Sequence, residues 1–333
     1  MRVLISGYYG FGNLGDEALL SGLTRALSER GIESVVLSAD PAATTAMHGV
    51  VARHRITGLL AGLISTDALI SGGGGLLQDG TSARSLRYYL GVIRLARLLG
   101  RPAVVYGQSL GPLSAEGRER VASAVRGLPL LLRDESSVAL AATLGAQARL
   151  VADPALLLSM RSAPAVPASR TVVLVPRGGQ ETLNAALERL ASRLVDEGRS
   201  VTVASLHPSE DDASVARLLA AVPAASSSPV PTPAAALELF AGAAYVVSVR
   251  LHGCILAALA GTGYAGLSYD TKVDGFLTQA AAPVFHQPVD EERLLSLALT
   301  APGQDKDATA RLVRLADSGV GHLVTELAAT RGG

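Results

Sequence analysis

The sequence predicts an α/β fold built from two doubly wound, Rossmann-like domains facing each other across a cleft. Three observations carry that expectation. Short apolar runs alternate with longer amphipathic ones along most of the chain, the βαβα rhythm of parallel sheets covered on both faces. The 333 residues suit about two domains at roughly a hundred to two hundred residues each. One stretch of small residues and prolines, 161–170, breaks the rhythm where a linker between such domains would lie.

The elements follow in order. Arg2–Ser6 reads as a strand and Leu14–Glu29 as a helix, with Leu19, Leu23, Ala26 and Leu27 on one face. Ser34–Ser38 and Ala68–Ser71 read as strands, Ser82–Leu99 as a helix, and Ala103–Gly107 and Leu130–Arg133 as strands with helices after them. Beyond the linker the alternation restarts with a strand at Thr171–Val175, a helix at Glu181–Glu197 and a strand at Ser200–Ser205. Tyr245–Ser248 and Tyr264–Ser268 are further strands, with an apolar helix at Leu251–Ala260 between them. Ala220–Pro233, rich in Ala, Ser and Pro, reads as a loop, and Arg311–Thr330 as a closing helix. The domains are therefore set at 1–160 and 171–305, with a closing C-terminal helix in 306–333.

Composition excludes several functions. Lys+Arg 29 against Asp+Glu 29 gives no net charge, which argues against the basic face that nucleic acid requires. A single cysteine, Cys254, excludes a disulfide framework and a Cys-based zinc site and fits a reducing compartment. It lies on an apolar helix and reads as a buried small hydrophobe. No spacing of His and carboxylates suggests a metal, and no serine nucleophile elbow is present. His48, His54, His286 and His322 read as surface or packing residues. Met1–Gly7 is too short an apolar run for a signal peptide, and no run approaches the roughly 18–20 residues of a membrane span. The expectation is a cytoplasmic protein with no integral membrane segment.

The loop after the first strand reads Gly7-Tyr8-Tyr9-Gly10-Phe11-Gly12-Asn13-Leu14-Gly15-Asp16-Glu17-Ala18. It contains Gly10-x-Gly12-x-x-Gly15, and Asp40 ends the second strand, where a dinucleotide's ribose would be held. Three features oppose that reading: the fingerprint starts late, Asp16 and Glu17 put negative charge where a pyrophosphate would sit, and three aromatics crowd the turn. Aromatic rings beside amide and carboxylate groups suit a sugar instead. A second run, Ser71-Gly72-Gly73-Gly74-Gly75-Leu76-Leu77-Gln78-Asp79, follows a strand, and four glycines imply close approach of ligand or backbone.

Ligands of open α/β sheets bind beyond the carboxyl ends of the strands. There stand Arg133, Arg177, His207, the triplet Arg250-Leu251-His252 and Lys272. Arg250 and His252 beside free helix N–H groups make a pocket for a small anion. Only Lys272 and Lys306 are lysines among the 29 basic residues, so Lys272 suggests a need for a point-charge ammonium.

Taken together, these segments resemble the polysaccharide pyruvyl transferases of the CsaB type. The resemblance rests on the N-terminal dodecapeptide, the Ser71–Asp79 glycine run, Arg133-Asp134-Glu135-Ser136, Ala152-Asp153-Pro154-Ala155, Arg250-Leu251-His252 and Tyr269-Asp270-Thr271-Lys272-Val273. It implies a GT-B-like architecture and transfer of a pyruvate ketal from phosphoenolpyruvate, with no further cofactor, to a sugar of a cell-wall precursor of the kind used in S-layer anchoring. By position it places Arg133, Arg250, Leu251, His252 and Lys272 on the donor side, with His252 as general acid/base and Arg133 and Lys272 assisting catalysis. Tyr8, Asn13, Asp16 and Gly74 are expected on the acceptor side. Phosphoenolpyruvate carries about three negative charges and so needs several cations. Analogy suggests an acceptor pyranose with paired 4- and 6-hydroxyls, an N-acetylated mannose on a lipid-linked precursor at the inner membrane face. No basic amphipathic helix stands out in the sequence to anchor the protein there. Thr271 replaces a frequent proline and Cys254 a larger apolar residue, departures that bear on specificity more than on reaction type. Rival readings are a GT-B nucleotide-sugar glycosyltransferase, a nicotinamide-dependent oxidoreductase using Asp40, and a sugar-binding module without catalysis.

Overall fold

The computed structural model describes residues 1–158 and 169–329. The described residues divide into two compact units, 1–11 with 16–158 and 313–329 in the first, 12–15 with 169–312 in the second.

The first unit runs β1 (Arg2–Ser6), α1 (Leu14–Ser28), β2 (Glu33–Ser38), α2 (Pro41–His48), β3 (Val51–His54), α3 (Leu59–Ile64), β4 (Ala68–Leu77), α4 (Ala83–Leu98), β5 (Ala103–Leu110), α5 (Ala115–Val125), β6 (Leu130–Leu132), α6 (Glu135–Thr143) and β7 (Ala148–Leu150). Among the described residues its strands form one parallel sheet in the order β3-β2-β1-β4-β5-β6-β7. Val3, Leu4, Ile5, Leu69 and Ile70 are fully buried, as strands sandwiched between helical layers must be.

The second unit runs β8 (Thr171–Val175), α7 (Glu181–Asp196), β9 (Ser200–Ala204), α8 (Pro208–Ala221), β10 (Ser226–Ser228), α9 (Pro233–Ala241), β11 (Tyr245–Ser248), α10 (Leu251–Leu259), β12 (Gly263–Leu267), α11 (Thr271–Gln279), β13 (Val284–Phe285), α12 (Glu291–Thr300) and the start of α13 (Lys306–Ala329). Its strands pair in the order β10-β9-β8-β11-β12-β13, again all parallel. Leu183, Leu187, Leu190 and Leu194, at helical spacing on α7, pack on Val172, Leu174 and Val203. The chain order of each sheet reverses once, between β1 and β4 in the first and between β8 and β11 in the second. Those reversals are the switch points where α/β sheets take ligands.

Four sequence expectations are corrected. The four glycines do not follow a strand but lie within β4, where Gly73 and Gly74 take φ of +77° and +80° and the register against β5 shifts beyond Gly74. Ala220–Pro233 is not one loop: α8 ends at Ala221, Ser226–Ser228 forms an edge strand, and Thr232 caps α9 by accepting from Ala235 N–H. The edge strands β3 and β7 went unseen because Val51-Ala52-Arg53-His54 and Ala148-Arg149-Leu150 are short and only half-buried. The closing helix starts at Lys306, and from Val313 it groups with the first unit rather than standing apart. Arg161–Ala168 of the expected linker, and Thr330 onward, lie outside the described residues; Ser169 and Arg170 lead directly into β8.

Among the described residues no helix is long and apolar enough to cross a membrane, and no group of three or more His, Cys, Asp or Glu is placed to hold a metal. Cys254 is fully buried, and burial pushes its thiol up to about 12. The expected outcome is no labelling of the native protein by a thiol reagent at pH 8, followed by complete labelling once urea exposes α10.

Candidate functional site

In the first unit the loop after β1 is held by α1 and by β4. Glu17, buried in the first turn of α1, accepts the Gly10 N–H at 2.8 Å, and its other oxygen meets His48 Nε2 at 2.8 Å. His48 Nδ1 lies 2.9 Å from Ser21 Oγ, so this histidine is a buried link between α1 and α2. Tyr9 does not join an aromatic platform: only 1% exposed, it donates its hydroxyl to the Gly72 carbonyl at 2.6 Å. Tyr8 and Phe11 remain at the surface side of the loop, stacked at 4.1 Å between ring centroids. Burial, reinforced by the Asp16 and Glu17 charges, holds the Tyr9 hydroxyl protonated well above its usual range.

The glycine run answers to the same packing. A Cβ on Gly73 would sit 3.0 Å from the Tyr9 hydroxyl, and one on Gly74 would sit 2.7 Å from Asp16 Oδ1. Positive φ and this close approach together require glycine at position 74. Gly74 therefore makes room for the Asp16 carboxylate. Asp40 caps α2 by accepting from Ala43 N–H at 3.0 Å, which occupies the acid that a dinucleotide's ribose would need.

Arg133 lies just beyond β6, 9% exposed. Its Nη1 donates to Asp153 at 2.6 Å and its Nε to Ser109 at 2.8 Å, while Ser109 donates in turn to Asp134. Burial favours the neutral form of Asp134, but hydrogen bonds from Ser109, Ser137 and Ser136 outweigh it and hold its carboxyl below the usual range. Two segments singled out separately in the sequence, at Arg133 and at Asp153, thus form one buried ion pair.

In the second unit the decisive group is Asp211, fully buried in the first turn of α8. It receives Arg250 bidentately, Nε to Oδ2 and Nη2 to Oδ1, both at 2.5 Å. It also accepts the Gly178 N–H at 3.1 Å and the His207 N–H at 3.0 Å. Arg250 Nη2 further donates to Glu210 at 2.9 Å, and His207 Nδ1 lies 3.3 Å from the same carboxylate. Partial burial of Glu210 would raise its pKa; the Arg250 hydrogen bond and the charges of His207, Arg250 and Arg177 instead hold it below the usual range. Arg250 is thus an anchored cation, not a bare one.

Arg250 is also the N-cap residue of α10 and supplies no side-chain cap, so the opening N–H groups of that helix keep their pull on an anion. Leu251 and His252 follow, both half-buried. Segment 12–15 of the N-terminal loop groups with this unit: Leu14 N–H donates to the Leu206 carbonyl at 2.8 Å, and Asn13 Oδ1 accepts the Gly15 N–H at 3.1 Å. A Cβ on Gly15 would overlap the His252 imidazole. Lys272 opens α11, its N–H bonded to the Asp270 cap and its Nζ 3.8 Å from Asp270 Oδ2.

Sequence reasoning missed Asp211 and Glu210, which look like ordinary acids in a first helical turn. It also left Arg177 without a role. Arg177 follows β8 at the switch point, with its guanidinium 4.7 Å from the Tyr269 ring centroid. Its buried Nε has no hydrogen-bond partner among the described residues.

A family model described as polysaccharide pyruvyl transferase matches residues 13–271. No curated protein matches. Among solved structures, the UDP-GlcNAc 2-epimerase of Neisseria meningitidis bound to UDP-GlcNAc superposes with a TM-score of 0.62 at 10% identity, over 99% of this chain and 100% of that one. Anabaena HepE in complex with UDP and glucose gives 0.59 at 14% identity, over 100% and 98%. Acinetobacter baumannii MurG gives 0.52 at 13% identity, over 99% and 100%. At such identities the likeness establishes the fold, a two-domain Rossmann-like α/β architecture.

Two outcomes test the geometry. Asp211→Asn removes the buried one of the two carboxylates that hold the Arg250 guanidinium, and urea unfolding should show a loss of about 3–5 kcal/mol. Gly15→Ala improves helix propensity by up to about 1 kcal/mol yet displaces His252. It should therefore keep its melting temperature while the His252 ring resonances shift in an NMR spectrum; unshifted resonances would show that the imidazole does not pack on Gly15.

Proposed function

Because the chain belongs to the polysaccharide pyruvyl transferase family, we propose that it transfers a pyruvate ketal from phosphoenolpyruvate to two hydroxyls of a saccharide in a cell-wall polysaccharide precursor. The observation that carries this reading is the packing of Gly15 against the His252 imidazole. The two most telling motifs of the sequence, more than two hundred residues apart, meet at a side chain suited to move a proton.

The proposed chemistry needs an acid first. His252 gives a proton to the methylene carbon of phosphoenolpyruvate, which becomes the methyl group and leaves an oxocarbenium-like centre at C2. One sugar hydroxyl forms a C–O bond there and returns its proton to His252. The C2–O bond to phosphate then breaks, phosphate leaves with the bonding pair, and the second hydroxyl closes the ketal as its proton departs with phosphate. No redox partner is required. Arg250 and the α10 N–H groups suit the donor's anionic groups, and Lys272 suits the departing phosphate as a compact charge. Leu251 would border the donor. Arg133 is carried to the donor side, and Tyr8, Asn13, Asp16 and Gly74 to the acceptor side, by the motifs they occupy. Asp16 would orient or deprotonate a hydroxyl, with Gly74 giving it space. The acceptor is read as a pyranose on a lipid-linked precursor, met in the cytoplasm at the inner membrane face.

Phosphoenolpyruvate should raise the melting temperature where NAD and a UDP-sugar do not; stabilisation by either of those alone overturns the reading. His252→Ala should lower acceptor-dependent phosphate release from phosphoenolpyruvate by about 10²–10⁴-fold without changing the melting temperature. Near-normal release would remove His252 from the reaction.

A further inference from the structure

The aliphatic side chains exposed on the first unit are concentrated beside an excess of positive charge. Ile56, Leu60 and Ile64 stand four residues apart along the turn before α3 and α3 itself, 64%, 52% and 60% exposed. Leu98, ending α4, is 82% exposed, and Leu99 follows it at the surface. The two elements are neighbours. Arg101 Nη2 donates to the Ile64 carbonyl at 3.1 Å, the Arg55 guanidinium lies 3.9 Å from the Tyr88 ring centroid, and the Tyr88 hydroxyl donates to the Arg55 carbonyl. Leu63 of α3 shares one core layer with Leu86, Leu90 and Ile93 of α4.

In a chain of zero net charge, residues 53–101 hold seven arginines against two aspartates, with no lysine or glutamate. Both aspartates are engaged elsewhere: Asp67 accepts the Arg2 N–H and Asp79 accepts from Ser114. On α4, Arg84, Arg87 and Arg94 are exposed, and the helix carries no acid. The pattern escapes a sequence search for a basic amphipathic helix because the apolar face of α4 is consumed by the core. The exposed apolar side chains come from α3 and from the helix end.

We propose that this α3–α4 face docks the protein on an anionic lipid bilayer surface. Aliphatic tips set among arginines suit the boundary between head groups and acyl chains, with the guanidinium groups at the phosphates and the tips in the hydrocarbon. A two-fold contact with a second copy would set the arginines against one another. Nucleic acid would gain nothing from the isoleucines and leucines. The inference bears on the proposed function only through the location of a lipid-linked acceptor, and it does not depend on the donor chemistry.

The test is flotation of the full chain with vesicles of equimolar phosphatidylglycerol and phosphatidylcholine, compared with vesicles of phosphatidylcholine alone. The protein should float with the first and not the second, and about 0.5 M salt should release it. Arg84→Gln/Arg87→Gln/Arg94→Gln should weaken binding on the order of a hundredfold, each arginine near an anionic surface strengthening it roughly fivefold. Ile56→Ser/Leu60→Ser/Ile64→Ser should weaken it on the order of tenfold or more. Both variants should keep the wild-type melting temperature and phosphate release with a soluble acceptor. Failure of the wild type to float, undiminished flotation of either variant, or self-association abolished by the isoleucine and leucine changes would overturn the proposal. A protein that floats but releases no phosphate from phosphoenolpyruvate would overturn the proposed reaction and leave this surface standing.

Discussion

The second unit is organised around one buried carboxylate. Asp211 takes an N–H from Gly178, an N–H from His207 and two from the Arg250 guanidinium. Those donors lie in the segments after β8, β9 and β11, three adjacent strands of one sheet. A carboxylate has about four lone-pair directions, and all four are used. The ends of the three strands are thereby referred to a single point, and the position of α10, with His252 in its first turn, follows from where Arg250 is held. A fully buried charge is tolerable only because an opposite charge and further donors offset its desolvation.

Glycine in this protein serves close approach more than phosphate cradling. Gly7, Gly73 and Gly74 leave room for Tyr9 and Asp16, Gly15 for His252, and Gly178 for the Glu210 carbonyl. In each case a side chain, or for Gly178 a carbonyl, is pressed against a backbone that a Cβ would have held away. The Gly10-x-Gly12-x-x-Gly15 spacing that suggests a dinucleotide has its explanation there. Gly10 must admit Ser38 and the Asp40 backbone, Gly15 must admit an imidazole, and Glu17 fills with negative charge the region a pyrophosphate would use.

The sequence disclosed the sheets because buried parallel strands are apolar almost throughout. Strands such as Arg2–Ser6 and Thr171–Val175 are therefore visible as runs. It disclosed the cations at strand ends because topology confines ligands there. It hid the largely exposed edge strands Val51–His54 and Ser226–Ser228, which carry no long apolar run. It also hid every pairing that depends on long-range packing. Asp211 is indistinguishable in one dimension from an acid that complements a helix dipole, and Tyr9 from its neighbour Tyr8, although one ring is buried and the other is not. Arg133 and Asp153 could each be singled out, but nothing in their spacing says that they form one ion pair.

The engagement of Arg250 also bears on how an anion could be received. Its two carboxylate partners differ in kind: Asp211 is wholly buried, whereas the Glu210 side chain is 47% exposed. An anion arriving at Arg250 competes with Glu210, because displacing Asp211 would strand a charge in the interior and release the Gly178 and His207 backbone with it. Glu210 can turn into water at small cost, since an exposed ion pair contributes little. Arg177, stacked on Tyr269 and close enough to help hold the Glu210 carboxyl low, would remain beside whatever replaced that carboxylate. A fixed counter-charge beneath the arginine and a half-exposed one at its rim would let the proposed donor claim the cation without stranding Asp211.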